Sequence, residues 1–277
     1  MTTPFLISAE TALEHLGEPE TVFLDGSWTF AGGPEVKADG FIPKARPFDI
    51  DTVKDPASPL PHMLPTPEVF TGHGRALGLN ASSRIIVYDR FGLFSAARVW
   101  WMLRTMGHDA VAVLDGGLPA WIAAGGPVEE HAARDWPPGD FESGFRPDGV
   151  VDLDRLSDRI RTGSAQILDA RGAARFDARV AEPREGMRSG HMPGARNLPF
   201  TRLLDHDGHL DIRAEFFQDA GIDLDKPIIT TCGSGVTACI LSLALACLGR
   251  DSAVYDGSWS EWGGRPDTDI ETGPVRS

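Results

Sequence analysis

The chain has 277 residues, a length that corresponds to about two domains of ordinary size. Its 26 Lys and Arg against 40 Asp and Glu give a formal net charge of −14. This balance argues against nucleic acid as a partner, because nucleic-acid-binding domains are usually basic. It does not exclude a small anionic substrate, since a local basic pocket can exist in an acidic protein.

The amino-terminal segment Met1–Ile7 lacks the basic residues and the long apolar stretch of a signal peptide. The longest apolar run, 236–248, is interrupted by polar residues and is shorter than the roughly 20 residues that span a bilayer. The three cysteines, Cys232, Cys239 and Cys247, are odd in number and confined to one segment, which favours a reducing compartment over a disulfide framework. We therefore expect a cytoplasmic protein that has no membrane partner.

The first half of the chain alternates between strand-like and helix-like segments. Phe23–Asp25 and Arg84–Asp89 are short apolar runs, and Ser95–Leu103 has the composition of a buried helix. A further apolar pair enters the glycine turn of Val113–Gly117. Alternation of this kind predicts an α/β unit with a largely parallel sheet.

The second half repeats the landmarks of the first half in the same order. Asp89 and Cys232 occupy corresponding positions, 143 residues apart. Matches at four places with nearly constant spacing predict an internal duplication. The matched segments are 23–26 with 167–170, 42–45 with 192–195, 84–89 with 227–232, and 113–117 with 254–258.

Turn-forming residues separate the two halves. Pro137–Asp140 and Arg146–Gly149 carry strong turn and helix-breaking signals. We therefore predict a linker at 129–149 between a first domain at 1–128 and a second at 150–277. Each is long enough to bury a core of its own.

The segment Cys232–Thr237 lies between a predicted strand and a predicted helix, at the edge where α/β sheets bind ligands. Gly233 and Gly235 allow a tight turn whose backbone N–H groups point inward. The start of the following helix favours an anion. This setting predicts that Cys232 is a reactive thiolate.

Several chemistries use a cysteine in such a loop. A phosphatase would need an Arg six residues after the cysteine to grip phosphate, where this chain has Ala238. A thioredoxin-like site would need a second Cys three residues on, where this chain has Gly235. A Cys–His hydrolase stays open on the loop alone. The remaining two cysteines, Cys239 and Cys247, fall in the helix-like run and are predicted to pack in the core.

Over nearly its whole length, the chain resembles the tandem rhodanese family of sulfurtransferases. The loop Cys232–Thr237 resembles the form found in members that use 3-mercaptopyruvate, without the basic residues that follow the cysteine in thiosulfate-specific members. Asp115–Trp121, Arg188–Ala195 and Asp256–Trp262 also match family motifs. The resemblance implies an α/β protein of two tandem rhodanese-like domains, each a mostly parallel sheet flanked by helices.

The resemblance also implies a mechanism. Cys232 takes the sulfur of 3-mercaptopyruvate as a persulfide, pyruvate leaves, and the sulfur passes to thioredoxin, a small thiol or cyanide. Asp89 at the corresponding position implies that the first domain is catalytically inactive. No metal and no organic cofactor is implied. The loop residues implied to bind substrate are Gly233, Gly235, Val236 and Thr237.

Five further residues match functional positions of the family. Arg175 and Arg184 are implied to bind the 2-oxo acid, because a guanidinium binds a carboxylate through two hydrogen bonds. Ser234, His62 and Asp51 match a protease-like relay that would move the thiol proton, with Asp51 orienting His62.

Two alternative functions remain open at this point. One is a thiosulfate:cyanide sulfurtransferase, although the neutral Gly233 and Ser234 give a dianionic donor no positive charge within the loop. The other is a persulfide carrier with little turnover of small donors, against which the predicted arginine pair and relay argue.

Overall fold

The computed structural model describes residues 4–30, 32–132 and 135–274. The chain divides into two compact units. Among the described residues, no helix is long and apolar enough to cross a membrane. Unit 1 comprises Met1–Ala57, Leu64–Arg146 and Leu204–Leu210, and unit 2 comprises Ser58–Met63, Pro147–Leu203 and Asp211–Ser277.

Unit 1 contains a parallel sheet within its described residues. Its strands are β1 (Leu6–Ile7), β2 (Thr21–Asp25), β3 (Arg46–Pro47), β4 (Arg84–Tyr88) and β5 (Val111–Leu114). Their order across the sheet is β1-β5-β4-β2-β3, and every pairing is parallel. Strands β4 and β5 are buried almost throughout, as expected for a sheet covered on both faces.

Helices of unit 1 are α1 (Ala9–Glu14), α2 (Pro67–Ala76), α3 (Ala96–Thr105) and α4 (Gly117–Ala123). Local sequence explains where α2 begins, because the Thr66 hydroxyl accepts the Val69 N–H and Pro67 occupies the first turn. Helix α3 is buried on nearly all sides, which explains its apolar composition.

Unit 2 repeats this architecture. Its strand order, β6-β10-β9-β7-β8, matches that of unit 1 position for position, again with parallel pairings. The strands are β6 (Val150–Val151), β7 (Gln166–Asp169), β8 (Arg196–Asn197), β9 (Ile228–Thr231) and β10 (Ala253–Tyr255). The helices are α5 (Leu153–Thr162), α6 (Ala173–Phe176), α7 (Ala214–Asp219), α8 (Ala238–Cys247) and α9 (Ser258–Trp262).

The two units place corresponding residues in corresponding cores. Trp121 in unit 1 and Trp262 in unit 2 are both almost completely buried, in clusters that also contain Phe23 and Ile167 at matching strand positions. The predicted fold class, two α/β domains each built on a parallel sheet, is therefore confirmed.

The segment predicted as a linker, 129–149, is described except for residues 133–134. Its part up to Arg146 packs within unit 1. Phe141 is 1% exposed and lies 5.8 Å from the ring of Phe70, centroid to centroid. Gly139 donates its N–H to the Arg75 oxygen, and a Cβ on this glycine would clash with the backbone of Leu79, so only glycine fits there. The domain boundaries themselves stay a prediction.

Candidate active site

Cys232 directly follows β9, at the carboxyl end of the unit 2 sheet, and α8 begins six residues later at Ala238. The side chain is 2% exposed. Within the loop, Gly235 has a φ of +79°, a left-handed conformation that side chains rarely adopt. The sequence therefore places a nearly buried thiol where a parallel sheet ends and a helix starts, as predicted.

Two backbone carbonyls of the loop are anchored by the segment after β10. The Trp259 N–H donates to the Cys232 oxygen at 3.0 Å. Both the N–H and the hydroxyl of Ser260 donate to the Gly233 oxygen, at 2.8 and 2.7 Å. Because the C=O and N–H of a trans peptide point in opposite directions, these anchors turn the N–H groups of Gly233 and Ser234 away from that segment.

Ser258, in the same segment after β10, holds the backbone N–H of Cys232. Its hydroxyl accepts the Cys232 N–H at 3.2 Å and donates to the Tyr255 oxygen at 2.9 Å. Ser258 has a φ of +49°, an unfavourable conformation for a residue with a side chain. The fold thus keeps a strained, fully buried serine beside the cysteine.

Arg175 lies directly against the loop. A Cβ added to Gly233 would be 3.1 Å from Arg175 Nη2, so the guanidinium packs on this glycine. Glu182 accepts from Arg175 through both carboxylate oxygens, at 3.1 Å to Nε and 2.5 Å to Nη2. The side chain of Glu182 is only 3% exposed, whereas that of Arg175 is 28% exposed. The side chain of Arg175 is therefore partly exposed where its guanidinium packs on Gly233.

A second guanidinium, that of Arg171, lies behind Arg175 and is fully buried. It donates to both oxygens of Asp169, at 2.6 to 3.1 Å, and to Glu182 Oε1 at 3.0 Å. It also stacks over the ring of Trp259 at 4.2 Å. Burial by itself lowers the pKa of Arg171, but the attraction of Asp169 and Glu182 outweighs that effect and raises the pKa overall. Arg171 is therefore a permanent buried cation.

Arg184 joins the loop through Ser260. Its Nη1 donates to the Ser260 hydroxyl at 2.7 Å, and that hydroxyl donates to the Gly233 oxygen. Thus the structure brings Arg175 and Arg184 to the same loop as Cys232, the former by packing and the latter through one intervening side chain.

The remaining loop residues predicted to act on substrate surround the cysteine. Ser234 and Val236 are buried, at 7% and 2% exposure, and Thr237 is half-buried at the start of α8. Cys239 is fully buried in α8, and its thiol lies 3.2 Å from the Gly235 oxygen.

The two predicted relay residues from the first half belong to different units. Asp51, in unit 1, is exposed and accepts the indole N–H of Trp28 at 2.7 Å. His62 lies in the segment Ser58–Met63, which is part of unit 2, where it is 2% exposed and has a φ of +59°. Their joint role with Ser234 stays a prediction.

In unit 1 the loop after β4 holds Asp89 in place of the cysteine. Its carboxylate is fully buried and accepts four backbone N–H groups, three from its own loop and one from the first residue of α3, at 2.7 to 3.0 Å. The donors are Phe91, Phe94, Ser95 and Ala96.

Sequence reasoning missed the residues that support the site from behind. Asp169 ends the predicted strand and Arg171 follows two positions later, so the sequence could have indicated an ion pair at the end of this strand. Glu182 lies between the two predicted arginines, and Ser258 and Ser260 lie inside a motif that by itself indicates no role for either serine.

Comparisons with known proteins agree with this architecture. A family model described as a rhodanese-like domain matches twice, at residues 8–124 and 152–265. The chain is therefore built from two rhodanese-like domains in tandem. It belongs to the rhodanese family, which confirms the predicted resemblance.

Named relatives align along most or all of the chain. A 3-mercaptopyruvate sulfurtransferase from Escherichia coli K12 is 44% identical over 285 residues, covering 100% of both chains. A thiosulfate sulfurtransferase from Cricetulus griseus is 37% identical, covering 86% of this chain and 84% of its own length. The crystal structure of SseA from Escherichia coli superposes with a TM-score of 0.81 at 42% identity, covering 94% of this chain and 100% of that chain. Tum1 from Saccharomyces cerevisiae superposes with a TM-score of 0.88 at 30% identity and covers 98% of each chain.

Proposed function

We propose that this chain is a sulfurtransferase that moves the sulfur of 3-mercaptopyruvate, through a persulfide on Cys232, to a thiol or cyanide acceptor. The observation that carries the proposal is the loop itself: a cysteine after β9, anchored carbonyls and an arginine packed on Gly233. The full-length likeness to a protein named for this reaction supports the choice of donor.

In the first half-reaction the Cys232 thiolate attacks the donor's sulfur. The carbon–sulfur bond breaks, pyruvate leaves as its enolate, and the proton released by the donor's thiol returns to carbon 3 of the enolate. The outer sulfur of the resulting persulfide carries negative charge. Inward-facing N–H groups of the loop stabilise that charge as an oxyanion hole stabilises oxygen. In the second half-reaction a thiolate or cyanide attacks this outer sulfur and regenerates the Cys232 thiolate.

Arg175 and Arg184 bind the carboxylate of the 2-oxo acid in this proposal. Both reach the Gly233 loop, and a guanidinium suits a planar carboxylate. Ser234, with His62 and Asp51, manages the proton. The donor is a small molecule, the acceptor is thioredoxin, a small thiol or cyanide, and no nucleic acid takes part. A cytoplasmic location fits three free cysteines.

Steady-state kinetics with two donors and two acceptors test the proposal. We expect kcat/KM for 3-mercaptopyruvate to exceed that for thiosulfate, with either thioredoxin or cyanide as acceptor. Cys232→Ser should abolish transfer and eliminate the mass increase of about 32 Da, one sulfur atom, after donor treatment. Cys247→Ser, a half-buried cysteine of α8, is the matched control and should keep activity.

Three outcomes would count against the proposal. Transfer that survives Cys232→Ser would remove the persulfide mechanism. A large preference for thiosulfate would make the chain a thiosulfate:cyanide sulfurtransferase. Failure of every small donor, together with loading of Cys232 by a persulfidated protein, would make it a carrier.

A further inference from the structure

We propose that Glu182 sets the charge selectivity of the donor site, by cancelling one positive charge beside Cys232 so that a monoanionic donor is favoured over a dianionic one. The inference rests on the proposed function and deepens it. Arg175 and Arg184 are treated as the groups that hold the donor's carboxylate, and Glu182 acts through them.

Glu182 is placed to act on both nearby guanidiniums. One oxygen, Oε1, accepts from Arg171 at 3.0 Å and from Arg175 Nε at 3.1 Å, while Oε2 accepts from Arg175 Nη2. The carboxylate is only 3% exposed, so solvent does little to screen its charge. A carboxylate held this firmly acts as a fixed component of the site's electrostatic potential.

Within the cluster of arginines and carboxylates that these hydrogen bonds join, the charges are nearly balanced. Arg171, Arg175 and Arg184 supply three positive charges, and Asp169 and Glu182 supply two negative charges, which leaves a net charge of +1. That value matches one carboxylate. The loop adds no cation of its own, because residues 233–237 are uncharged.

A dianion gains more than a monoanion from each added positive charge, because Coulomb energy scales with the product of the charges. Thiosulfate carries two negative charges, and 3-mercaptopyruvate with its thiol protonated carries one. Removing the charge of Glu182 would raise the net charge of the cluster to +2. The kcat/KM for thiosulfate should therefore rise relative to that for 3-mercaptopyruvate.

Glu182 also fixes the orientation of Arg175. It accepts the N–H of Nε and one N–H of Nη2, which leaves the second N–H of Nη2 and both N–H groups of Nη1 to donate to a ligand. A charge role and an orientation role are separable, because Glu182→Asp keeps the charge and shortens the reach.

The test compares kcat/KM for the two donors in Glu182→Gln, Glu182→Asp and the wild-type chain. We expect Glu182→Gln to raise the thiosulfate to 3-mercaptopyruvate ratio about tenfold, and Glu182→Asp to leave the ratio within about twofold while lowering both values. Glu185→Gln is the matched control, because it removes the same charge from an exposed residue of the same segment. An unchanged ratio in Glu182→Gln, or an equal rise in Glu185→Gln, would overturn the proposal.

Two further measurements keep the proposal testable. If Glu182→Gln does not fold, the same substitution is made in an Arg171→Met background, which removes the buried cation that Glu182 compensates. The ratio must then be higher in the double variant than in Arg171→Met alone for the charge argument to survive. If the wild-type chain turns over neither donor, the proposed function has failed on its own. Protection of Cys232 from iodoacetamide then decides, because sulfate must protect Glu182→Gln better, relative to pyruvate, than it protects the wild-type chain.

Discussion

The loop after β4 and the loop after β9 occupy the same place in two copies of one fold, yet only the second holds a cysteine. In both loops the carbonyl of the first residue accepts an N–H from the segment after the next strand, from Leu118 for Asp89 and from Trp259 for Cys232. In unit 1 the N–H groups of the loop converge on a carboxylate that is part of the chain.

This comparison explains what the loop geometry is suited to do. The Asp89 loop shows that successive N–H groups in this fold surround a buried negative charge at hydrogen-bond distance. In unit 1 the carboxylate of Asp89 occupies that environment permanently, and this carboxylate cannot replace a thiolate as the nucleophile. In unit 2 a charge at this position would be present only when the sulfur of Cys232 is ionised, and in the proposed reaction the N–H groups of that loop would stabilise the thiolate or the persulfide.

A second difference lies where the neighbouring strand ends. Asp25 and Asp169 match in position and each accepts the N–H of the residue two positions later. That residue is Ser27 in unit 1 and Arg171 in unit 2. Asp169 consequently has a guanidinium partner, whereas Asp25 lies 3.9 Å from the nearest nitrogen of Arg90. Burial raises the pKa of Asp25.

Moving the cysteine between loops should give the largest effect. We expect the double variant Cys232→Ser, Asp89→Cys to stay at least about 10³-fold below wild-type sulfur transfer. Unit 1 has a serine in place of Arg171, so a thiol there lacks the arginine–glutamate cluster that lies beside Cys232. Steady-state transfer from 3-mercaptopyruvate measures this. Recovery of activity would show that the loop alone is sufficient and that the cluster is dispensable.

Removing Asp89 should give the largest loss of stability. Asp89→Ala leaves four buried N–H groups without their acceptor, and we expect the free energy of unfolding of unit 1 to fall by about 3 to 4 kcal/mol. Cys232→Ala at the matching position should cost less than about 1.5 kcal/mol, because a thiol is a weaker acceptor than a carboxylate. Urea denaturation measures both. Equal losses would contradict the contrast drawn between the loops.

The two strand-end aspartates should respond differently to the same substitution. Asp169→Asn removes one of the negative charges that compensate the buried Arg171, and it should lower the free energy of unfolding by about 3 kcal/mol. Asp25→Asn should change stability by less than about 1 kcal/mol or raise it slightly, because burial disfavours the charged carboxylate in the folded state. If Asp25→Asn proves as costly as Asp169→Asn in the same urea titrations, Arg171 is not what distinguishes the two positions.

Much of the fold could be predicted from the sequence, because duplication doubles every signal. Matching strand ends at Asp25 and Asp169, and at Asp89 and Cys232, are visible as residue patterns in the amino-acid sequence alone. The placement of Cys232 between strand and helix follows from local composition, and the structure agrees.

The supporting cluster could not be predicted in the same way. Glu182 contacts Arg175 seven positions before it and Arg171 eleven positions before it, through a stretch without regular structure after α6. Neither helical nor strand periodicity reports such contacts. Ser258 is a clearer case, since its left-handed backbone is occupied in unit 1 by Gly117, with a φ of +58°. A serine at that position carries no local signal for its hydrogen bond to Cys232.

The smallest expected effect is a pH dependence of the stability of unit 1, which we assign to His108. Burial lowers the pKa of His108, whose Nε2 lies 2.8 Å from the Ser83 oxygen. The matching residue of unit 2 is Arg250, which pairs with Asp225 on the surface. Below about pH 6.5 the unfolded chain binds a proton at His108 that the folded chain does not, so the free energy of unfolding falls as the pH falls.

Hydrogen exchange measured at peptide resolution between about pH 5.5 and 7.5 can show whether the two units differ in the pH dependence of their protection. Protection of β4 and α3 in unit 1 should weaken on acidification, and His108→Gln should flatten that dependence because it removes the titrating group. His206→Gln, at a side chain 88% exposed, is the matched control and should leave it intact. The raised pKa of Asp25 acts in the opposite direction, since protonating that carboxyl favours the folded state. If β9 and α8 of unit 2 lost protection in parallel with unit 1, the pH dependence would be a property of the whole chain and His108 would not explain it.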